Sequence, residues 1–290
     1  MKKILVHAHI YYTNLWPELL DCINNIPYPY DLYITTVEEN RNFAENLRQN
    51  LPSAHIEIVP NKGYDVGPFI HILKQIDLND YSYIIKLHTK RDIALSKSKY
   101  RTKTISDTSI EGPNWRNMLL DPFRTTNRIR KIVETMEHSP NIGIVANHRL
   151  YRERKAKREE KSRVANITQA LQNLHLSMPP KIKFVAGTMF IARAKVFAPI
   201  ANSTYTIDSF ETPDTQHTDN TLAHTFERVL SYTALAQGYD IRDCYTPIWK
   251  ILIYKIKKLW KFIYEHKITD SDKRIIKILR IPVWNKKIKN

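Results

Sequence analysis

Hydrophobic positions in the first third of the chain follow two alternating periods. From Lys3 to Tyr12 they alternate one by one, which predicts a strand, and from Leu15 to Ile26 they recur at helical spacing behind the capping residue Asn14. The same patterns predict strands at residues 30–36, 55–59 and from 81 onward, and helices at 38–51 and 67–75. Because strand and helix alternate strictly, we expect an α/β fold with a mostly parallel sheet flanked by helices.

The pattern is less regular between residues 92 and 245. It predicts helices at 115–120, 126–137, 167–176 and 220–237, and strands at 142–146, within 182–192, and at 239–243. Asp92–Pro113 is polar and predicts a loop, whereas Arg149–Arg163 carries eight basic and three acidic residues. Such a charge run is ordinarily a solvated face, so we expect an exposed helix or loop there.

The last stretch of the chain has a different character. From Trp249 to Asn290 there are 13 Lys or Arg and 3 Asp or Glu, so this stretch carries +10 of the net charge of +16. Its first part combines lysines with Trp, Tyr and Ile at helical spacing, which is typical of a basic amphipathic helix in a membrane interface. A helix packed on the main domain and a basic arm for nucleic acid are the alternatives. We therefore expect a main domain at residues 1–245 and a basic amphipathic helical tail at 246–290.

Composition narrows the class of protein further. The 290 residues are 42% hydrophobic and contain 6 glycines, which indicates a globular chain that does not rely on glycine-rich phosphate loops. The main domain carries only the remaining +6 of charge, which disfavours nucleic acid as a partner. No run reaches the ~18 apolar residues that span a bilayer. Cys22 and Cys244 stand in no metal-binding spacing, and the N-terminus lacks the long apolar core of a signal peptide, so we expect a cytoplasmic protein.

One candidate site lies where the strand from Tyr81 ends. Lys86, His88 and Lys90 stand at alternate positions, so their side chains share one face of the strand. Ligands of open α/β sheets bind at the carboxyl ends of strands, and three cationic groups there suit a diphosphate. A solvated polar strand end is the alternative.

Three further motifs combine polar side chains with small residues or a helix face. In Asn61–Phe69, two glycines at 63 and 67 bracket Asp65, which is placed either to bind a ribose or base or to cap the next helix. Ala186–Phe190 contains Gly187 and Thr188, which suit either a small-residue turn before a helix that lines an acceptor pocket or a buried strand that needs a small residue for packing. His224, Glu227 and Arg228 share one helix face, which fits either a general base with its neighbours or an ion-paired surface; a metal site built on this His and Glu alone would be weakly indicated.

Five motifs occur in the order in which one known family carries them. They are His7–Tyr12, Asn61–Phe69, Lys86–Lys90, Ala186–Phe190 and His224–Arg228. Together they resemble the rhamnan synthesis protein F family of bacterial polysaccharide glycosyltransferases, over residues 1 to about 245. The resemblance implies a GT-A-like fold, with a Rossmann-type nucleotide half, and transfer of a rhamnose-like sugar from a nucleotide sugar to a growing surface polysaccharide or lipopolysaccharide.

The family is similar to family 2 glycosyltransferases, and that comparison implies residue roles. Glu227 is the implied general base of an inverting transfer, with Asp219 as second choice and His224 beside it. The implied donor and diphosphate residues are Thr35, Asn61, Gly63, Asp65, Lys86, His88 and Lys90, and the implied acceptor residues are Gly187, Thr188 and Arg228. The metal-binding Asp-x-Asp of family 2 is absent from the end of the strand, so we expect no metal ligands and weak or no dependence on Mg²⁺ or Mn²⁺.

The resemblance also implies partners and a location. These are a nucleotide sugar, a lipid-linked or lipopolysaccharide glycan acceptor, and an anionic membrane surface that the tail contacts on the inner face of the bacterial cytoplasmic membrane. A transferase that uses a UDP-hexose or UDP-galactofuranose donor is one alternative. A non-catalytic, membrane-docked scaffold of a glycan assembly complex is another.

Overall fold

A computed structural model describes residues 2–90, 113–153, 161–213, 221–268, 273–278 and 281–287. The chain divides into two compact units. The first comprises Met1–Arg91 and Arg116–Tyr245, and the second comprises Asp92–Trp115 and Thr246–Asn290. The candidate residues that the structure describes all belong to the first unit.

The first unit is built on a twisted sheet with helices packed against it. Its strands in the described ranges are β1 Lys3–Ile10, β2 Tyr30–Thr36, β3 His55–Ile58, β4 Tyr81–His88, β5 Ile142–Val145, β6 Tyr151–Glu153, β7 Lys183–Val185, β8 Phe190–Arg193 and β9 Asp240–Arg242. Seven of them form one sheet in the order β3-β2-β1-β4-β8-β5-β9. β8 runs antiparallel to β4 and β5, and the other neighbours are parallel. The predicted α/β class and the mostly parallel sheet are therefore confirmed.

Helices follow most of the strands, as the alternating pattern predicted. Up to residue 245 they are α1 Trp16–Asn24, α2 Arg41–Asn50, α3 Val66–Gln75, α4 Pro113–Leu120, α5 Thr126–His138, α6 Lys161–Asn173, α7 Ala198–Ala201 and α8 Leu222–Ala236. Threonine caps two of the long ones, because Thr125 accepts from the Arg128 amide and Thr221 from the His224 amide. The central strands β1 and β4 form the core, with apolar side chains from the helices packed against them.

The direction of the strands decides where the polar ends meet. Because β8 is antiparallel to both β4 and β5, these two strands run the same way, and so does β9. The carboxyl ends of β1 to β5 and of β9 consequently lie along one edge of the sheet. We call it the carboxyl edge, and ligands of open α/β sheets bind at this edge.

Two details of the second half differ from the sequence prediction. The strand expected within residues 182–192 is two strands, β7 and β8, separated by a turn in which Gly187 and Thr188 adopt φ values of 79° and 50°. The described part of the basic run Arg149–Arg163 contains the strand β6, which pairs with β7. Residues 154–160 of that run and most of Asp92–Pro113 lie outside the described residues.

The C-terminal part of the second unit contains the predicted helix, α9 Ile248–Ile263. After it, β10 Tyr264–Ile268, β11 Lys273–Ile278 and β12 Ile281–Lys287 form an antiparallel sheet that the sequence did not predict, so the tail is helical only in its first part. Isoleucine is frequent in these segments and favours strands, and this preference overrides the continued amphipathic pattern. In the described part of the chain, no helix is long and apolar enough to cross a membrane.

Candidate functional site

Three histidines and a threonine lie together below the carboxyl edge. His9 of β1 is in register with Thr35 of β2 on one side and with His88 of β4 on the other. The Thr35 hydroxyl lies 2.9 Å from His7 Nε2 and 3.0 Å from His9 Nδ1. All four side chains are buried, so Thr35, which was predicted to contact the nucleotide, serves here as a link between two imidazoles.

Burial keeps these imidazoles neutral at neutral pH. It lowers the pKa of His9 to about 4 and that of His88 to about 3, and it lowers the pKa of His7 well below its ordinary value. Among the described residues neither ring nitrogen of His88 has a hydrogen-bond partner, although Nδ1 lies 3.4 Å from Asp65 Oδ2. His88 is therefore a buried polar group next to a carboxylate, without the positive charge that the strand-end pattern suggested.

Lys86 forms a buried ion pair with Asp65. Its ammonium donates to Asp65 Oδ2 at 2.5 Å and to the Thr188 hydroxyl at 3.0 Å, while the Thr188 hydroxyl also donates to Asp65. Burial lowers the pKa of Lys86, against the pull of Asp65. Burial alone would raise the pKa of Asp65, but His88 and Lys86, with hydrogen bonds from Lys86 and Thr188, hold it below its ordinary value. The side chain of Lys86 is fully buried, and its charge is balanced by Asp65.

A tight loop between β3 and α3 brings Asp65 to this position. Gly63 adopts a φ of 70°, and its amide donates to the Glu211 carbonyl at 3.0 Å. A Cβ on Gly67 would lie 2.2 Å from the Lys62 carbonyl oxygen, so only glycine fits there. Asp65 is the residue before α3, but its side chain accepts no capping hydrogen bond from the helix. The carboxylate is thus committed to Lys86 and Thr188, and the alternative of a plain helix cap is not observed.

The turn at Gly187 and Thr188 joins two carboxylates that are far apart in sequence. The Gly187 amide donates to Glu227 Oε1 at 2.9 Å, while the next residue, Thr188, donates to Asp65. A left-handed conformation is unusual for a β-branched residue such as Thr188, and strained backbone of this kind clusters at functional sites. The turn therefore connects the two carboxylates at the carboxyl edge, because Gly187 binds Glu227 and Thr188 binds Asp65.

The first turns of α8 supply the other polar side chains. Glu227 is partly exposed, with Oε2 at 3.8 Å from Arg228 Nη1. Arg228 is buried, donates to the His224 carbonyl at 2.6 Å, and places its guanidinium over the Phe184 ring at 4.9 Å. His224 Nδ1 lies 2.7 Å from the hydroxyl of Thr221, the capping residue. Arg228 thus stiffens the helix beside Glu227.

Comparison with known proteins shows which family the chain belongs to. The family model for rhamnan synthesis protein F matches residues 1–239. The chain belongs to the rhamnan synthesis protein F family. The predicted family is thereby confirmed, and the matched range includes each of the five motifs on which the resemblance rested.

Individual relatives of this family member are more distant. The uncharacterized protein WxcX from two strains of Xanthomonas campestris pv. campestris is 25% identical over 244 residues, which is 81% of this chain and 32% of the relative. The chain thus spans about a third of the length of the curated relatives it matches. Among solved structures, S. aureus TarS 1–349 is similar with a TM-score of 0.39 and 8% identity, over 79% of this chain and 55% of that chain.

In this rhamnan synthesis protein F chain, most of the predicted site residues gather at the carboxyl edge. Asp65, Lys86, His88, Thr188 and Glu227 lie within the connected set described above. Gly63 is buried in the loop that carries Asp65, and Asn61 and Lys90 are half-buried near the ends of the same loop and of β4. Asp219 lies outside the described residues. Within the described ranges, no three or more His, Cys, Asp or Glu side chains are grouped so that they could hold a metal ion.

Sequence reasoning missed a second group of polar residues at the same edge. His148 follows β5, Asp243 follows β9, and the two side chains are hydrogen-bonded at 2.7 Å. The signal that was available is positional, since each residue lies within three residues of the end of a short strand of an α/β pattern. Their partnership spans 95 residues and depends on β5 and β9 being neighbours, which the sequence alone did not reveal.

Proposed function

We propose that this chain is the catalytic part of a glycosyltransferase that moves a rhamnose-like sugar from a nucleotide-sugar donor to a growing bacterial surface polysaccharide or lipopolysaccharide. Membership of the rhamnan synthesis protein F family supports the class of activity. The observation that carries the proposal is the turn at Gly187 and Thr188, which links Asp65 and Glu227 at the edge where α/β folds bind their ligands. Residues from four separate motifs converge there.

The donor is proposed to bind on the β3 and β4 side of this turn. Asp65 is ionised at neutral pH and can accept hydrogen bonds from ribose hydroxyls or a base, next to Asn61 and Gly63. Lys86, His88 and Lys90 are the proposed neighbours of the diphosphate. Lys90 is the most accessible of the three, because Lys86 and His88 are buried. The Thr35 hydroxyl contacts the rings of His7 and His9 on β1, the strand next to β4.

Glu227 is the proposed general base, in an inverting displacement. It takes the proton of an acceptor hydroxyl while that oxygen forms a bond to C1 of the sugar, and the bond from C1 to the diphosphate oxygen breaks with its electron pair leaving on the nucleoside diphosphate. Gly187, Thr188 and Arg228 border this acid, and His224 stands one turn before it on α8. Asp219 is the second candidate for the base.

The experiment is a binding and turnover screen with the whole chain. Thermal shifts with dTDP-, UDP-, GDP- and CMP-sugars identify the donor, and release of the nucleoside diphosphate measures turnover, each with and without Mn²⁺. We expect E227Q to lower turnover ~10²-fold or more while donor binding persists. E45Q removes an exposed glutamate remote from this edge and serves as the control.

Each outcome separates the candidate functions. Turnover with a UDP-hexose or UDP-galactofuranose alone would replace the rhamnose-like donor but keep the reaction. Near-normal turnover in E227Q would remove Glu227 as the base. Activity that EDTA abolishes and Mn²⁺ restores would overturn the expected metal independence. The non-catalytic scaffold is favoured if no nucleotide sugar binds or is hydrolysed.

The tail is proposed to dock on anionic membrane at the inner face of the cytoplasmic membrane. On α9, a stripe of large apolar side chains is exposed, and the exposed Lys250 and Lys255 lie on the same helix. The stripe consists of Ile248, Trp249, Leu252, Ile253 and Ile256. An apolar stripe with flanking lysines favours an interface rich in anionic lipid. We expect L252E/I256E to lose binding to phosphatidylglycerol vesicles, and unchanged sedimentation with them would contradict the proposal.

A further inference from the structure

Two half-buried rings lie beside the carboxylates of the carboxyl edge. Tyr64 is the residue before Asp65, and His224 stands one helical turn before Glu227 on α8. The centroids of the two rings are 5.8 Å apart and their planes make an angle of 64°, which is an edge-to-face contact. The loop between β3 and α3 and the start of α8 are therefore joined by aromatic packing as well as by the turn at 187–188.

This contact closes a circuit of six residues. Successive members are bonded, hydrogen-bonded, in ring contact or one helical turn apart, and in order they are Tyr64, Asp65, Thr188, Gly187, Glu227 and His224. The two residues of the turn are buried, while the other four are half-buried. The side chains of the two carboxylates are 18% and 27% exposed. The circuit thus has an enclosed floor at the turn and a rim of partly exposed side chains.

Tyr64 is held in a backbone conformation that tyrosine rarely adopts. Its φ is 54°, directly after Gly63 at 70°. Glycine or asparagine would occupy this left-handed conformation with less strain, so the backbone does not explain why a tyrosine stands there. Residues strained in this way cluster where ligands are held. The aromatic ring is what tyrosine adds at this position.

The side chains of the rim match one class of ligand. A sugar ring carries C–H groups on its faces and hydroxyl groups around its edge. Aromatic rings pack against the apolar faces, and carboxylate oxygens accept hydrogen bonds from the hydroxyls. A phosphate is disfavoured between two carboxyl groups. The rim therefore suits an uncharged sugar ring.

The position favours the transferred sugar over a sugar of the acceptor. Tyr64 lies in the same loop as Asn61, Gly63 and Asp65, which are proposed to bind the donor, whereas Glu227 is the proposed base at the reacting carbon. The sugar of the donor is the part that must reach from the first group to the second, since its C1 is attacked while it is still joined to the diphosphate.

We propose that Tyr64, backed by His224, forms an aromatic wall against which the transferred sugar of the nucleotide-sugar donor packs. The inference rests on the proposed transferase function and adds to it a residue that recognises the sugar and not the nucleotide. Removing the ring of Tyr64 should consequently weaken binding of a nucleotide sugar and leave binding of the nucleoside diphosphate unchanged.

Calorimetric titration of the whole chain with a nucleotide sugar and with its nucleoside diphosphate isolates the sugar contact. The probe pairs are dTDP-rhamnose with dTDP, UDP-glucose with UDP, and GDP-mannose with GDP. Y64N removes the ring but tolerates the left-handed backbone, whereas Y64F keeps the ring. We expect Y64N to lower the affinity for the nucleotide sugar about three- to tenfold, with the affinity for the nucleoside diphosphate unchanged. Y64F should bind both as the wild type does.

Y28N is the matched control, because Tyr28 is also half-buried but precedes β2 at the opposite edge of the sheet. It should leave both affinities unchanged. Melting temperatures show whether each variant is folded, and Y64G replaces Y64N if the latter does not fold.

The inference is overturned if a nucleotide sugar binds to the wild type and Y64N weakens it no more than the nucleoside diphosphate. It is also overturned if Y64N leaves donor binding intact and raises only the KM for the acceptor, since the ring would then contact the acceptor. If no nucleotide sugar binds to the wild type, the proposed function fails and the inference fails with it. The two failures are therefore distinguishable.

Discussion

The variants K86M and D65N each break the buried ion pair between Lys86 and Asp65. We expect both to destabilise the protein strongly, and we expect their stabilities to change with pH in opposite directions. The two atoms are 2.5 Å apart, the Lys86 side chain is fully buried, and the Asp65 side chain is 18% exposed. Removing one partner leaves the other as an unbalanced buried charge, which costs about 3–5 kcal/mol. The charge that remains in K86M is Asp65, which has some access to water, whereas the charge that remains in D65N is the fully buried Lys86. We therefore expect D65N to lose more stability than K86M.

The size of each penalty is limited by neutralisation of the remaining charge. In D65N, Lys86 can lose its proton, which for an ordinary lysine costs about 5 kcal/mol at pH 7 and about 2 kcal/mol at pH 9. The unfolded chain then binds more protons than the native state, so the stability of D65N rises with pH. In K86M, Asp65 can take up a proton instead, so the stability of K86M rises as the pH falls from 7 to 5.

The assay is urea unfolding followed by circular dichroism at pH 5, 7 and 9, with melting temperatures as a second measure. A loss of about 5 kcal/mol corresponds to about 10–20 °C in melting temperature for a domain of this size. The double variant K86M/D65N removes both charges and should lose far less than the sum of the single variants. E45Q, which breaks an exposed pair, should cost less than about 1 kcal/mol.

Two results would refute this reasoning. If K86M and D65N each cost no more than E45Q, the charges are not held in a low-dielectric interior. If both variants change stability with pH in the same direction, the remaining group does not titrate as described. Either result would also remove the basis for treating Lys86 and Asp65 as one unit in donor binding.

Two further predictions concern the buried histidines and the turn. Between pH 6.5 and 5 the free energy of unfolding should fall by about 2 kcal/mol for each of His9 and His88, because burial lowers their pKa values to about 4 and about 3 and the unfolded chain takes up protons first. A urea midpoint that stays constant over this range contradicts that expectation. T188S keeps the hydroxyl that contacts Asp65 and Lys86 and should keep turnover within about threefold, whereas T188V should lower turnover about tenfold or more. Equal turnover in T188S and T188V, measured as release of nucleoside diphosphate, would show that the hydroxyl has no positioning role.

The sequence was sufficient to predict the strands and helices whose hydrophobic residues recur with a clear period. The alternation from Lys3 and the helical stripe from Leu15 predict β1 and α1 within a few residues. The glycines at 63 and 67 correctly marked a tight loop around Asp65, because left-handed or crowded backbone requires glycine. Local patterns of this kind depend only on neighbouring residues, so no knowledge of the strand order is needed.

The partnerships within the site could not be predicted in the same way. Asp65 reaches Lys86 and Thr188 because β1 and β8 lie on either side of β4, and this order is a property of the whole sheet. A small-residue turn at Ala186–Phe190 was one of two interpretations of the sequence. That this turn divides the expected strand into β7 and β8 was not predicted, since a threonine at positive φ leaves no mark in the sequence. The bond from Gly187 to Glu227 likewise depends on that turn.

The observed ion pair changes what the strand end can offer a diphosphate. The sequence suggested three cations on one face, but at neutral pH Lys86 is balanced by Asp65 and His88 is uncharged. If a ribose hydroxyl binds Asp65 without displacing Lys86, the pair stays intact, and within the described part of this motif the half-buried Lys90 is left to meet the negative charge. If the diphosphate instead draws Lys86 away, Asp65 must find other donors, and Thr188 already provides one. The cost of separating a buried pair favours the first arrangement. That arrangement makes Lys90 the more important cation for the donor, with Lys86 holding Asp65 in place.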